Sequence, residues 1–388
     1  MLTSVFGIFN FLAYSTTGAV ARQVGAGDRR AAAALGMDGL WLAAGLGVGL
    51  ALLGIALAPL IVDAMGASAN VRPYALTYLR ISLLGAPALL VALAGAGYLR
   101  GVQDTRTTLV IAVASNALNL VLELLLVYTF DLGIAGSAWG TVAAQWAAAA
   151  AFLAIVVGSA RIERASLRPD AAGIRANARV GSRLVIRTGS LLGAFLAATA
   201  IASRISDDAV AAHQIAFQVF LLLALSLDAL AIAAQAMIGR SLGADDPSAA
   251  RAAARRLLEW GVAVGIGFGV VLAVLRPWLV PLFTDDPGVE DLALQVLLVL
   301  ALMQPLNAVV FVFDGVLIGA GDAGYLALAM VVASVFVFAP AAIAVLVLDG
   351  GLLWLWAALA LWMLARAVGM TARYLGPRWQ VTGAVRDT

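Results

Sequence analysis

Long apolar runs alternate with short polar connections along this chain, a pattern that predicts membrane-spanning helices. Eleven runs can be drawn, over 2–21, 33–60, 74–99, 108–129, 137–158, 184–203, 209–239, 257–280, 292–318, 326–348 and 352–372. Each reaches the roughly 20 residues that a spanning helix needs, and the longer ones leave room for tilt or for extension past the membrane surface. The runs are apolar on nearly every side. That excludes a transmembrane β-barrel, whose strands alternate apolar and polar positions.

An internal repeat organises the runs. Val20–Asp28 (VARQVGAGD) returns 218 residues later as Ile238–Asp246 (IGRSLGADD), with Arg22 on Arg240, Gly25 on Gly243, Ala26 on Ala244 and Asp28 on Asp246. Leu57–Val62 falls on Leu275–Val280, Pro87 on Pro305, and Leu99–Asp104 on Leu317–Asp322 at the same offset. One unshifted offset of this length predicts two similar lobes; the units of a solenoid are far shorter. In a membrane chain it marks a transporter built from structural repeats. The polar stretch Ser159–Arg183 reads as a linker between an N-terminal transmembrane lobe, 1–158, and a C-terminal one, 184–376, with a tail over 377–388. The expected fold class is an all-α integral-membrane protein with two six-helix-type lobes, eleven helices being present as five plus six.

The repeat also serves as a ruler. Shifted back by 218, helix 209–239 begins before Met1 and helix 184–203 lies wholly upstream of it. The expectation is a six-plus-six plan from which the first helix is missing, through a late start codon, a fragment or true loss. Ala19-Val20-Ala21 resembles a signal-peptide cleavage site, but no basic n-region precedes it and the same segment recurs as an internal helix end. It reads as a transmembrane helix.

Composition agrees: 63% of residues are hydrophobic and 12% charged, against about 25% charged in soluble chains, and the mean hydropathy is +1.00. All 24 basic residues are arginine, and 19 fall in residues 22–30, 100–106, 159–187, 240–256, 319–325 and 373–388. The intervening connections hold only Arg72 and Arg204. Positive residues stay on the cytoplasmic side, so this split fixes the topology of the chain. It also explains the pI of 9.2 better than nucleic-acid binding does. With no cysteine and the single histidine His213, disulfides, thiolate chemistry and multi-histidine metal sites are excluded. Gly45, Gly47, Gly49 and Gly265, Gly267, Gly269 lie inside apolar runs, where small residues allow helices to approach closely. No Walker or Rossmann fingerprint is present.

The chemistry rests on polar residues inside the runs. Asp38 and Glu259 sit near inner helix ends, within reach of headgroups and water. Glu123, Asp228 and Asp314 are deep, and a carboxylate in hydrocarbon is costly enough that it usually faces a bundle interior or wet cavity on an ion or substrate path. Helical geometry gives each acid company: Asn116, Asn119 and Glu123 fall within about 60°, Gln304, Asn307 and Asp314 within about 80°, and Gln214, Gln218, Asp228 and Gln235 within about 100°. Pro87 and Pro305 are placed to kink equivalent helices and free carbonyls toward a cavity. Taken singly, the glutamines are as well explained by helix–helix bonding, and His213, beside an outer connection, by interfacial hydrogen bonding. A carboxylate that holds a proton, a sodium ion or a cationic substrate in turn is what an antiporter needs, because competition for it couples the fluxes.

The strings NFLAYSTTGAVARQVGAGD, NALNLVLELLLVYTFDLGIAGSAWGTVAAQ, AAHQIAFQVFLLLALSLDALAIAAQAMIGRSLGADD and FVFDGVLIGAGDAGYLA together resemble the multidrug and toxic compound extrusion family, closest to its DinF-like branch, over essentially the whole chain. The resemblance implies a MATE-type fold of two six-helix lobes and export of drugs or other amphipathic, often cationic compounds in exchange for protons or sodium ions. It implies no cofactor beyond that ion, lipids as surroundings and a monomer. The family's N-lobe cation site, an Asn, an acid four residues on and a Thr on the next helix, maps to Asn119, Glu123 and Thr141, with Glu in place of the commoner Asp. Its remaining acid belongs to the helix missing here. Asp228, Asp314, Gln214, Gln218 and Asn307 remain candidate cavity or proton-coupling residues.

Three alternatives compete. A lipid-linked precursor flippase shares the broad architecture but would be favoured by an arginine-lined cavity, whereas the deep charges here read as acidic. A prenyl-transferase-like membrane enzyme needs DxxxD-like acid pairs for magnesium and diphosphate, and no deep pair has that spacing. An inactive, truncated fragment is the third.

Overall fold

The connections between the runs carry the capping residues that end one helix and start the next. The computed structural model describes residues 9–384. Its helices are α1 (Phe11–Gly25), α2 (Arg29–Ala64), α3 (Arg72–Leu83), α4 (Ala86–Gly101), α5 (Thr105–Leu124), α6 (Gly133–Ile162), α7 (Ala171–Ile205), α8 (Asp207–Gly243), α9 (Pro247–Leu279), α10 (Pro287–Gly319), α11 (Ala323–Val332), α12 (Ala339–Val347) and α13 (Leu352–Leu375). A π-helical turn, Leu125–Thr129, prolongs α5, and another, Ala333–Phe338, joins α11 to α12. Among the described residues nine helices are long and apolar enough to cross a membrane, or ten if the bent pair α3–α4 is one span. The expected run 2–21 lies partly outside the described residues. The other ten expected runs each fall on one of these spans, and the fold is that of an all-helical, multi-pass membrane protein.

Packing divides the chain at Gly181/Ser182 into two compact units. In the first, α4 is central and contacts α1, α2 and α6; in the second, its counterpart α10 contacts α8, α9 and α13. The α10 span is 61% buried and the α5 span 6%, so α10 forms the heart of its unit while α5 lies on the periphery of its own. The 218-residue repeat is visible in the contacts. Gly47 abuts the Pro87 backbone as Gly265 abuts that of Pro305, and Gly97 meets Ala13 as Gly315 meets Ala231. A methyl on Gly97 would fall 2.6 Å from the Ala13 carbonyl oxygen, so these crossings exclude any side chain. Gly269 is similarly confined by Ala301, whereas Gly45, Gly49 and Gly267 face open space.

The turns repeat as well. Asp28 and Asp246 cap α2 and α9, each accepting at 2.8 Å from the backbone N–H three residues on, Ala31 and Ala249. Left-handed backbone recurs at equivalent positions: Gly27 (φ 80°) with Asp245 (56°), Gln103 (67°) with Gly321 (71°), and Asp131 (52°) with Asp349 (50°). The prolines break this symmetry. Between α3 and α4 the span bends by 42°, and the Leu84 carbonyl there accepts from the Trp146 indole N–H at 3.2 Å. At Pro305 α10 continues without a break, so of the two equivalent prolines only Pro87 stands at a break between two helices.

Much of the polar stretch Ser159–Arg183 is helical, because α6 extends to Ile162 and α7 starts at Ala171. The eight residues between are fastened to α2: Trp41 donates its indole N–H to the Leu167 carbonyl at 3.0 Å, and the Asp38 carboxylate accepts from the Asp170 N–H at 3.0 Å. Asp38 is buried. It was expected to be open to headgroups and water; a backbone donor replaces that hydration. Glu259 does stay exposed, paired with Arg255 at 3.0 Å.

Candidate functional site

Helices α5 and α6 cross where Gly140 lets the Glu123 backbone come close; a Cβ on Gly140 would already lie 3.3 Å from the Glu123 nitrogen. Four side chains meet at this crossing. Asn119 donates from Nδ2 to Thr141 Oγ1 at 3.3 Å, Thr141 donates to the Ser137 carbonyl at 3.1 Å, and the Ser137 hydroxyl donates to Glu123 Oε1 at 2.8 Å. The three expected residues are thus connected, but through Ser137, which links Glu123 to the others. Ser137 was legible in principle, one helical turn before Thr141 and so on the same face.

The hydroxyl donors are consumed within the set. Thr141 uses its one proton on the Ser137 carbonyl, and Ser137 uses its own on Glu123. Among the described residues no basic side chain pairs with Glu123. Its second carboxylate oxygen and the Asn119 amide oxygen remain as acceptors, the hard oxygen donors that suit a proton or a sodium ion. Asn116, Asn119, Thr141 and Gln145 line a cleft of ≈ 320 Å³ together with Arg100. The π-helical turn Leu125–Thr129 begins two residues after Glu123; such turns interrupt the regular hydrogen-bond ladder and recur at functional sites.

The second unit is organised differently. Asp314 on α10 is buried and accepts on Oδ2 from Arg366 of α13 at 3.0 Å and, closer still, from Arg187 of α7. Arg366 lies over the Trp362 ring at 5.3 Å and also reaches Met363. Two guanidiniums against one carboxylate give the cluster a formal charge of +1. The expectation that the deep charges are acidic is therefore corrected. Arg187 had been counted with the linker, and Arg366 stands within the apolar run 352–372, where an arginine is itself a signal of a buried partner. As a coupling group Asp314 is poorly placed, since an incoming cation must displace a tethered one.

The remaining candidates lie on α8 and α10. Asn307 is buried with neither side-chain polar atom bonded, and Gln304 bonds only its own helix through Leu300. Gln235 is buried, Asp228 is half-buried, and Gln214 and Gln218 are exposed on their unit. His213 is fully buried within its unit. Its Nε2 lies 3.2 Å from Thr199 Oγ1, and its ring stacks on Phe217 and sits beside Trp356. Its Nδ1 is buried with no hydrogen-bond partner among the described residues.

Comparison with known proteins fits this geometry. The MatE family model matches residues 1–125 and 190–343. Protein DETOXIFICATION 44, chloroplastic, of Arabidopsis thaliana is 35% identical over 307 residues, which cover 78% of this chain and 57% of that protein. DNA damage-inducible protein F of Escherichia coli (strain K12) is 29% identical over 334 residues, covering 85% and 73%. The chain spans about half the length of the plant relatives it matches, 54–57%. Among solved structures, a MOP superfamily transporter from Pyrococcus furiosus superposes with a TM-score of 0.86 at 18% identity, over 98% of this chain and 85% of that one. With its repeated helical units, its polar crossing at Asn119 and Thr141 and a family match over most of its length, the chain belongs to the MatE, multidrug and toxic compound extrusion, family and to its DinF-like branch.

Proposed function

We propose that this chain is a secondary active antiporter of a bacterial inner membrane, exporting small amphipathic, often cationic organic compounds in exchange for protons or sodium ions by alternating access. The observation that carries this reading is the contrast between two intramembrane carboxylates. Among the described residues Glu123 holds a serine hydroxyl and no basic partner, whereas Asp314 holds two arginines. Only the first has room to exchange one cation for another, with Asn119 and Thr141 beside it as oxygen donors. Relatives named as multidrug resistance proteins, in Pseudomonas aeruginosa and Geobacillus kaustophilus, support a small-molecule cargo.

The flippase alternative gains Arg187 and Arg366, but both are engaged with Asp314 and so are not available to a diphosphate. Binding and conformational exchange are the only chemistry the reading requires. The test is transport by the reconstituted chain. Proteoliposomes loaded with a fluorescent cationic dye should lose dye faster when an opposing proton or sodium gradient is imposed. Loss indifferent to both gradients would sink the proposal.

A further inference from the structure

A groove on the second unit shares no lining residue with the crossing at Glu123. It forms where the end of α9 meets the early turns of α10 and the start of α13, and its volume is ≈ 410 Å³. Pro277, Leu294, Leu298, Val299 and Leu353 line it, and Arg276 is its one charged lining residue. Helix α9 starts in the arginine-rich connection 240–256. Arg276 lies twenty residues beyond Arg256, about 30 Å along the helix and so one hydrocarbon thickness away. It therefore sits at the membrane face where arginine is scarce. Trp278 and Trp354, 67% and 69% exposed, flank it as tryptophans flank a headgroup boundary.

Arg276 is held at the groove and does not reach away from it. Its Nη1 donates to the Leu294 carbonyl at 2.9 Å across to α10, and among the described residues no carboxylate pairs with it. One of five N–H donors is used, which leaves the planar fork for an external acceptor. The repeat supplies an internal comparison. Pro277 has Pro59 as its equivalent, but the position of Arg276 is taken by Ala58, so the arginine is an addition to the shared helical framework.

We propose that this groove binds an anionic glycerophospholipid from the leaflet opposite the arginine-rich connections, with its phosphate on Arg276 and an acyl chain along Leu298 and Val299. A guanidinium fork matches phosphate oxygens, and the apolar wall accounts for the rest of the ligand.

The test is native mass spectrometry of the purified full chain with dioleoyl phosphatidylglycerol against dioleoyl phosphatidylcholine. The wild-type chain should retain the anionic lipid about fivefold better, the worth of one basic residue at an anionic surface. Arg276→Gln should abolish that preference, Arg276→Lys should keep it, and Leu298→Trp, which fills the groove, should lower retention of both lipids. Equal retention by the wild type, a preference that survives Arg276→Gln, or retention unchanged by Leu298→Trp would overturn the assignment.

Discussion

Arg366 donates from Nη2 to Oδ2 of Asp314 at 3.0 Å, with 2% of the first side chain and 3% of the second exposed. Arg187 engages the same oxygen, so both guanidiniums are held by one carboxylate. The charge arithmetic is asymmetric: without Asp314 two like charges are buried together, whereas without Arg366 a neutral pair remains. Asp314→Ala should therefore cost about 3–5 kcal/mol, and Arg366→Met distinctly less. Thermal unfolding in detergent should rank the wild type above Arg366→Met and Arg366→Met above Asp314→Ala. The reverse order of the two variants would contradict the pairing.

The paired crossings Gly47–Pro87 and Gly265–Pro305 are backbone-to-backbone contacts, which cannot yield as a flexible side chain does. Gly47→Ala and Gly265→Ala should each destabilise by about 1–3 kcal/mol through overpacking. Gly267→Ala, with nothing within 4 Å, should be neutral or slightly stabilising, because alanine is the better helix former. Melting temperatures of the three variants check the contrast.

Asp104 caps α5, accepting from the Thr107 N–H at 2.9 Å, and hydrogen bonding to Thr107 holds its carboxyl below the ordinary value of 3.8. A depressed folded value means that the cap's contribution is full above 3.8 and is lost as pH falls through the lower folded value. Asp104→Ala should cost about 1 kcal/mol near neutrality, and the gap between variant and wild type should narrow as pH drops below 3.8. Asp246, lowered by its bonds to Ser248 and Ala249, should behave in the same direction. Unfolding curves over an acid pH series measure both.

The helices and their pairing were legible because burial in lipid leaves a strong signal: apolar runs, segregated arginines and a repeat kept in register. Even the turn chemistry recurs at that offset, down to the left-handed backbone of Asp131 and Asp349. Side-chain partnerships were less legible. Helical periodicity placed Asn119, Glu123 and Thr141 on usable faces, yet which hydroxyl reaches Glu123 depends on how α5 and α6 cross, and Ser137 supplies it. Asp314 read as a free acid because Arg187 is 127 residues away in sequence and Arg366 52. Periodicity along one helix carries no information about contacts between helices. Asp38 failed for a related reason, since its partner is a backbone N–H in the linker.

Glu123 is the group on which coupling rests, and one measurement tests it directly. Dye efflux from proteoliposomes is recorded under imposed proton and sodium gradients for the wild type, Glu123→Gln and Arg366→Lys. The expected result is that Glu123→Gln, which keeps the size and the hydrogen-bond acceptor but not the charge, loses gradient-driven efflux, while Arg366→Lys retains it. Gradient-driven efflux that persists unchanged in Glu123→Gln would contradict the central assignment.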